Sequence, residues 1–206
     1  AYTRYAEFLI EAEHDLEKAE AIYAQGYEHN PNNSTLLLSY FAFRVMRREY
    51  EVAALLNTEY IRVAGRDSKA LANEAIIAFL TGGNHDICIA LYREALEKQP
   101  NYSLAQANLA QVLFCVGRQR PEADIEADRL IEQCLAVESD RTILLEVWFY
   151  RLLHIPSHRD EAIRQLFDLI QSGARGRSWD FSCNLVRMRQ EDHADADMLE
   201  SLEAVI

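Results

Sequence analysis

The chain is 206 residues long, half of them apolar, with 33 acidic side chains against 21 basic ones and a formal net charge of −12. That field repels a phosphate backbone and excludes charge-driven nucleic-acid binding; the densest basic cluster, Arg175-Gly176-Arg177, is too short for a binding tract. No apolar run approaches the ~18 residues of a membrane span, and the richest stretch, 143–155, is cut by Glu146, Arg151 and His154.

Helix-stop chemistry divides the sequence. Turn clusters fall at Asn30-Pro31-Asn32-Asn33, Gly65-Arg66-Asp67-Ser68, Gly82-Gly83-Asn84, Gln99-Pro100-Asn101 and Gly117-Arg118. Between them apolar residues recur at the three-and-four spacing of a helix. In chain order this predicts helices over 2–12, 15–29, 34–47, 50–64, 68–81, 86–98, 103–116, 121–137, 142–154 and 159–172, with no strand-like alternation. From Gly173 the pattern changes to a link through Arg177, and Ser178-Trp179-Asp180-Phe181 leads into a helix at 182–191. Asp195 is placed to cap a last helix, 196–206, whose Met198, Leu199, Leu202, Val205 and Ile206 share one face. No signal-peptide pattern opens the chain.

One recurrence runs through the helical part. Ala19 is followed four residues on by Tyr23, and the small residue returns at Ala53, Cys88, Ala127 and Ala162, spaced by 34, 35, 39 and 35 positions. A period in the mid-thirties, with a small residue on the second helix of each unit, marks a helical solenoid that buries its core by stacking neighbours. Cys88 and Cys134 stand at small positions and read as substitutes for alanine. The four cysteines (88, 115, 134, 183) show no C-x-x-C spacing, so all four thiols are expected free, in a reducing, cytoplasmic setting.

These residues resemble the tetratricopeptide repeat, a 34-residue helix–turn–helix with the pattern W-x2-L-G-x2-Y, A-x3-F, P. The third unit carries it best, with Phe79, Gly83, Tyr92, Ala95 and Pro100; the first supplies Ala19, Tyr23, Gly26 and Pro31, and the fourth Leu109-Ala110 and Gly117. The first two units, with Tyr5-x-x-Phe8-Leu9 and Glu20-Ala21-Ile22-Tyr23, also look similar to the half-a-tetratricopeptide repeat of RNA-processing scaffolds. The departures are specific. The Trp position holds residues such as Ala72 and Gln106, the second unit has Asn57 for the Phe and Gly65 for the Pro, and the fourth has about five extra residues around Arg120-Pro121-Glu122. Proline is compatible with a first helical turn, so a longer second helix is expected there. The resemblance implies an all-α, right-handed superhelical solenoid of about five helix pairs over 1–172, with a linker and C-terminal capping helices over 173–206. The tail has two readings: a cap over the last repeat, on Leu166, Phe167 and Leu169, or an occupant of the groove that mimics a ligand.

In this family the first helices line the concave face. The stripe so implied runs Arg4, Phe8, Glu11, Leu38, Ala42, Met46, Asn73, Ile77, Leu80, Ala107, Asn108, Gln111, Phe114, Val147, Arg151 and His154. Its partner-binding candidates are Phe8, Met46 and Phe114 as apolar anchors, Ile77 and Gln111 beside them, and Asn73, Asn108 and Arg151 to bond a peptide backbone. Several of the apolar ones read equally well as core of their own repeat. The clamp some members use for a C-terminal carboxylate is fragmentary here, with Ser39, Asn73, Glu74 and Asn108 but no lysine. His154 and His158, with Asp160, have a metal-like spacing, but Pro156 breaks the helix between them, so two exposed histidines on a turn are expected and no metal. His14-Asp15 and His85-Asp86 read as helix starts. No phosphate loop, nucleophile elbow or Cys–His pairing appears, so no catalytic residue and no cofactor are expected. The reading is a non-catalytic docking scaffold for a protein or peptide, with neither nucleic acid nor membrane as partner. The alternatives are a self-associating assembly module (a homo-oligomer) and a recognition domain of a larger enzyme.

Overall fold

Short polar side chains start the helices at the turns. Asp15 accepts from Lys18 N at 2.9 Å, Asn33 from Leu36 N at 3.1 Å, Asn84 from Asp86 N at 2.7 Å and Asp140 from Thr142 N at 2.8 Å. Asp67 takes the N–H groups of Lys69 and Ala70, both at 3.0 Å. Each bond satisfies a donor that has no partner within its helix. In the computed structural model, which describes residues 1–176, 180–191, 193 and 196–203, the helices are α1 (Tyr2–Glu11), α2 (Leu16–His29), α3 (Ser34–Met46), α4 (Tyr50–Ala64), α5 (Ser68–Leu80), α6 (His85–Lys98), α7 (Ser103–Val116), α8 (Pro121–Leu135), α9 (Arg141–His154), α10 (Arg159–Gln171), α11 (Ser182–Gln190) and α12 (Ala196–Glu203). A short 3-10 turn, Pro156–His158, separates α9 from α10. No strand occurs among the described residues, and no helix among them is long and apolar enough to cross a membrane. Arg177, Ser178, Trp179, Asp195, Val205 and Ile206, and the side chain of Met198, lie outside the described residues.

The repeat is visible in burial. Ala19, Ala53, Cys88, Ala127 and Ala162 are all 0% exposed, and the residue four positions after each (Tyr23, Asn57, Tyr92, Ile131 and Leu166) is buried too. Residues four apart stack on one helix face, so each second helix presents one small and one filling side chain inward. These are tetratricopeptide-like helix pairs.

The chain divides into two compact units, Ala1–Ile77 and Ala78–Ile206, with the break inside α5. In the first, α1 packs on α2 and α3, and α3 on α2 and α4. Tyr23 stacks on Tyr40 with ring centroids 5.2 Å apart, and Phe43 closes the cluster at 5.2 Å from Tyr23. Gly26 lets α2 approach α1, since a Cβ there would sit 2.9 Å from the Cβ of Tyr2. Asn57, in the place of the family's Phe, is no defect: its Nδ2 donates to Ala70 O at 3.1 Å, and its Oδ1 accepts from Asn73 Nδ2 at 2.9 Å. A buried amide pair replaces the ring because both polar atoms of Asn57 find partners.

In the second unit α7 is the central helix. It packs against α6, α8, α9 and α11, and every residue from Ala105 to Phe114 is buried. The last helices pack α10 on α9 and α12 on α11.

Two expectations are corrected. The second helix of the fourth unit, α8, is unbroken but, at 15 residues, no longer than α4. It starts six positions before its small residue Ala127, where α2, α4, α6 and α10 start three before theirs, and it ends correspondingly early. The extra residues thus form an added first turn carrying Glu122 and Asp124. Second, the thiols are not all free: Cys115 and Cys183 form a disulfide, their Cα atoms 5.7 Å apart, inside the separation a disulfide spans. That bond removes the ground for expecting a reducing setting. Cys88 and Cys134 are free and buried as the small-residue reading requires; burial pushes the Cys88 thiol up and the Cys134 thiol up to about 12. A thiol reagent under denaturing, non-reducing conditions should therefore count two thiols, and four after a dithiol reductant. Four before reduction would show that Cys115 and Cys183 are not joined.

Candidate functional site

α7 is apolar on nearly every side yet carries three buried carboxamides, Gln106, Asn108 and Gln111. A buried amide must find partners. Gln106 donates to Pro100 O at 2.9 Å and ties down the preceding turn. Asn108 lies against Tyr92, whose phenol burial pushes well above its usual value, but neither amide atom of Asn108 comes within hydrogen-bonding geometry of a partner among the described residues. Gln111 points the other way, and its Nε2 donates to the main-chain oxygen of Asp180 at 2.7 Å.

That bond begins a continuous seam along α7 and α9. Phe181 packs edge-on against Phe149 with centroids 4.9 Å apart and lies 5.8 Å from the Tyr150 ring. Asn184, 0% exposed, donates to Gln111 O at 3.4 Å and meets His154 Nε2 at 3.2 Å. His154 stacks on Phe114 at 4.6 Å. Arg187 reaches Asp124 with two bonds of 2.6 and 2.7 Å, Phe114 O at 2.7 Å and Glu191 at 2.8 Å. Burial opposes a charge there, but the bonds to Asp124 and Glu191 outweigh it and raise the guanidinium above its usual value. Arg118 bonds Gln190 at 2.8 Å at the far end. Partners advance from 111 to 118 as the tail advances from 180 to 190, so α11 lies along α7 in the same direction.

Among the eight candidates taken from the sequence, Gln111 and Phe114 stand in this seam. Asn108 is buried beneath it. Arg151 is turned towards α8, bonding Asp128 at 3.0 Å and Glu132 at 3.3 Å, with its guanidinium 5.5 Å from the Trp148 ring. In the first unit Asn73 bonds Asn57, Met46 and Ile77 are half-buried, and Phe8 is 50% exposed on α1. Sequence reasoning missed Gly117, Asp124, Phe149, Tyr150, Phe181, Asn184 and Arg187. A signal existed for the tail: Phe181, Asn184, Leu185 and Met188 recur at helical spacing, and all four are buried.

The histidine expectation is corrected as well. Neither His154 nor His158 is exposed; both are half-buried. His158 lies near α8, where its ring and the carboxylates of Asp128 and Glu132 come within 4.8 Å of one another. Arg151 already bonds both carboxylates, supplying the positive charge a cation would bring. Burial, then the charges of Arg187 and His193, hold His154 well below its usual value. A histidine depressed on folding takes up its proton more readily in the unfolded chain. Its contribution to stability is therefore complete above about pH 6.5 and is lost as pH falls below that value. Between pH 7 and 5.5, wild type should lose up to about 1 kcal/mol more than His154→Gln in urea unfolding. Parallel pH profiles would show that His154 is not held neutral.

No protein-family model matches the chain, and no curated protein does. Solved structures similar to it include two of MamA. One is 15% identical and pairs 82% of this chain with 88% of that one at a TM-score of 0.48; the other is 16% identical, pairing 77% with 89% at 0.46. A third is that of YrrB, a TPR protein with an unusual peptide-binding site, 16% identical over 91% of this chain and 90% of that one at 0.49.

Proposed function

We propose that the protein is a non-catalytic interaction scaffold whose second unit receives a helical peptide segment on the face built by α7 and α9. The observation that supports this is α11 itself. A nine-residue helix is too short to hold its shape alone in water, yet here it lies along that face, with Gln111 bonding the main chain at Asp180 just before it and the Asn184 side chain bonding Gln111 O. This is the helix-in-groove mode of recognition, with anchors at spacings of three and four, and it favours the groove-occupant reading of the tail over the cap.

The test uses the full chain with its tail loosened by Phe181→Asp and Cys183→Ser, changes that leave the α7 and α9 side chains of the face in place. A labelled peptide of residues 180–191, with Ser at 183, should bind this chain with micromolar affinity. Wild type should bind it at least tenfold more weakly, because its own α11 competes at an effective concentration in the millimolar range. A tail-loosened chain that keeps its helical circular dichroism and takes up no peptide would exclude the α7–α9 face as a receptor.

A further inference from the structure

The turn by which α8 departs from the regular repeat carries Asp124, and Asp124 is what grips Arg187. Four features converge on that guanidinium. Asp124 meets it with two parallel bonds of 2.6 and 2.7 Å. Phe114 O, in the last turn of α7, accepts at 2.7 Å as well as taking the Gly117 N–H at 3.3 Å, at the end of the helix where the dipole is negative. Gly117 leaves the necessary space, since a Cβ there would fall within the Asp124 carboxylate and the Arg187 guanidinium. Arg187 itself is 8% exposed. Two parallel N–H donors facing one carboxylate fit the planar fork of arginine and not the single ammonium of lysine.

We propose that this is a selectivity pocket, and that the face takes a helical segment of another protein presenting an aromatic side chain and, six residues later, an arginine. The inference rests on the face being a peptide site and adds what that site reads. The chain's own tail is the sample of the chemistry: Phe181 against Phe149 and Tyr150, then Asn184 on Gln111, then Arg187 in the pocket. A net charge of −12 also favours a cationic partner, by steering its approach.

The experiment compares three peptides of residues 180–191, all with Ser at 183 and differing only in Arg, Lys or Ala at 187. Each is titrated into the full chain whose pocket is vacated by Phe181→Asp, Cys183→Ser and Arg187→Ala. Residual seating of the altered tail weakens all three alike, so their ratios remain informative. The Arg peptide should bind at least tenfold more tightly than the Ala peptide and clearly more tightly than the Lys peptide. Asp124→Asn in the chain should bring the three together; if that variant does not fold, the peptide ratios on the intact groove carry the test. Equal affinities for Arg and Ala would overturn the pocket and leave the helix-receiving face standing. Binding of none of the three below millimolar concentration would overturn both.

Discussion

Asp124→Ala should release α11 from the face, speeding hydrogen exchange at the main-chain amides of Leu185 to Met188 by roughly a hundredfold or more. A buried charge left wholly unpaired costs about 3–5 kcal/mol; Arg187 keeps Glu191 at 2.8 Å, so its cost falls towards the lower end. Arg187 cannot escape that cost in place, because α7, α8 and Gly117 enclose it; it escapes only if α11 lifts away. Removing both charges is a different matter, since an apolar pair of similar volume is often as stable as the ion pair. Asp124→Ala combined with Arg187→Leu should therefore recover most of the protection lost in Asp124→Ala alone. If Asp124→Ala leaves exchange in α11 unchanged, the pair does not hold the tail. The measurement is best made with Cys183→Ser in every chain, so that the disulfide to Cys115 does not mask the effect.

Tyr92→Ala should lower the stability of the protein by about 3–5 kcal/mol, read from urea midpoints at constant slope. Tyr92 is the filling residue of the best-matched repeat, 0% exposed, with Cys88 one turn before it and Asn108 against it. A cavity of that size in a domain stable by some 5–15 kcal/mol is a large fraction of the total. Ile125→Ala, on the outer side of α8 at 75% exposure, should shift the midpoint by no more than about 0.5 kcal/mol. A loss below about 1 kcal/mol at Tyr92 would mean that the inward face of α6 had been misassigned. Tyr92→Phe isolates the hydroxyl and should cost only about 1 kcal/mol.

The helices are legible because their determinants are local. Asp15, Asn33, Asn84 and Asp140 cap within three residues of themselves, and the small residue with its filler four positions on stacks on the same helix. For that reason the spacing alone marks Ala19, Ala53, Cys88, Ala127 and Ala162 as inward-facing. Even Asn57, which breaks the pattern, keeps its place; only its partner Asn73 is hidden, because that bond joins two helices.

The candidate site is legible in part. Gln111 and Phe114 follow from the register of α7. Arg151 has the same register logic on α9, yet its direction is decided by Asp128 and Glu132 on α8, and no periodicity within α9 contains that information. The added turn of α8 shows as a spacing of 39, but what it is for does not, because the group Asp124 serves lies 63 positions away in the chain.

What the sequence determined by itself is the helical class, the helix boundaries over 1–172 to within two residues and the inward face of each second helix, all set by contacts between residues a turn or two apart. What only the tertiary structure decided is which segment covers α7 and α9, which two cysteines meet, and where each buried charge finds its counter-charge. Those outcomes depend on pairs such as Cys115 with Cys183 and Asp124 with Arg187. Their separation along the chain leaves no local pattern, and they are favoured only once the packed helices have removed water from around them.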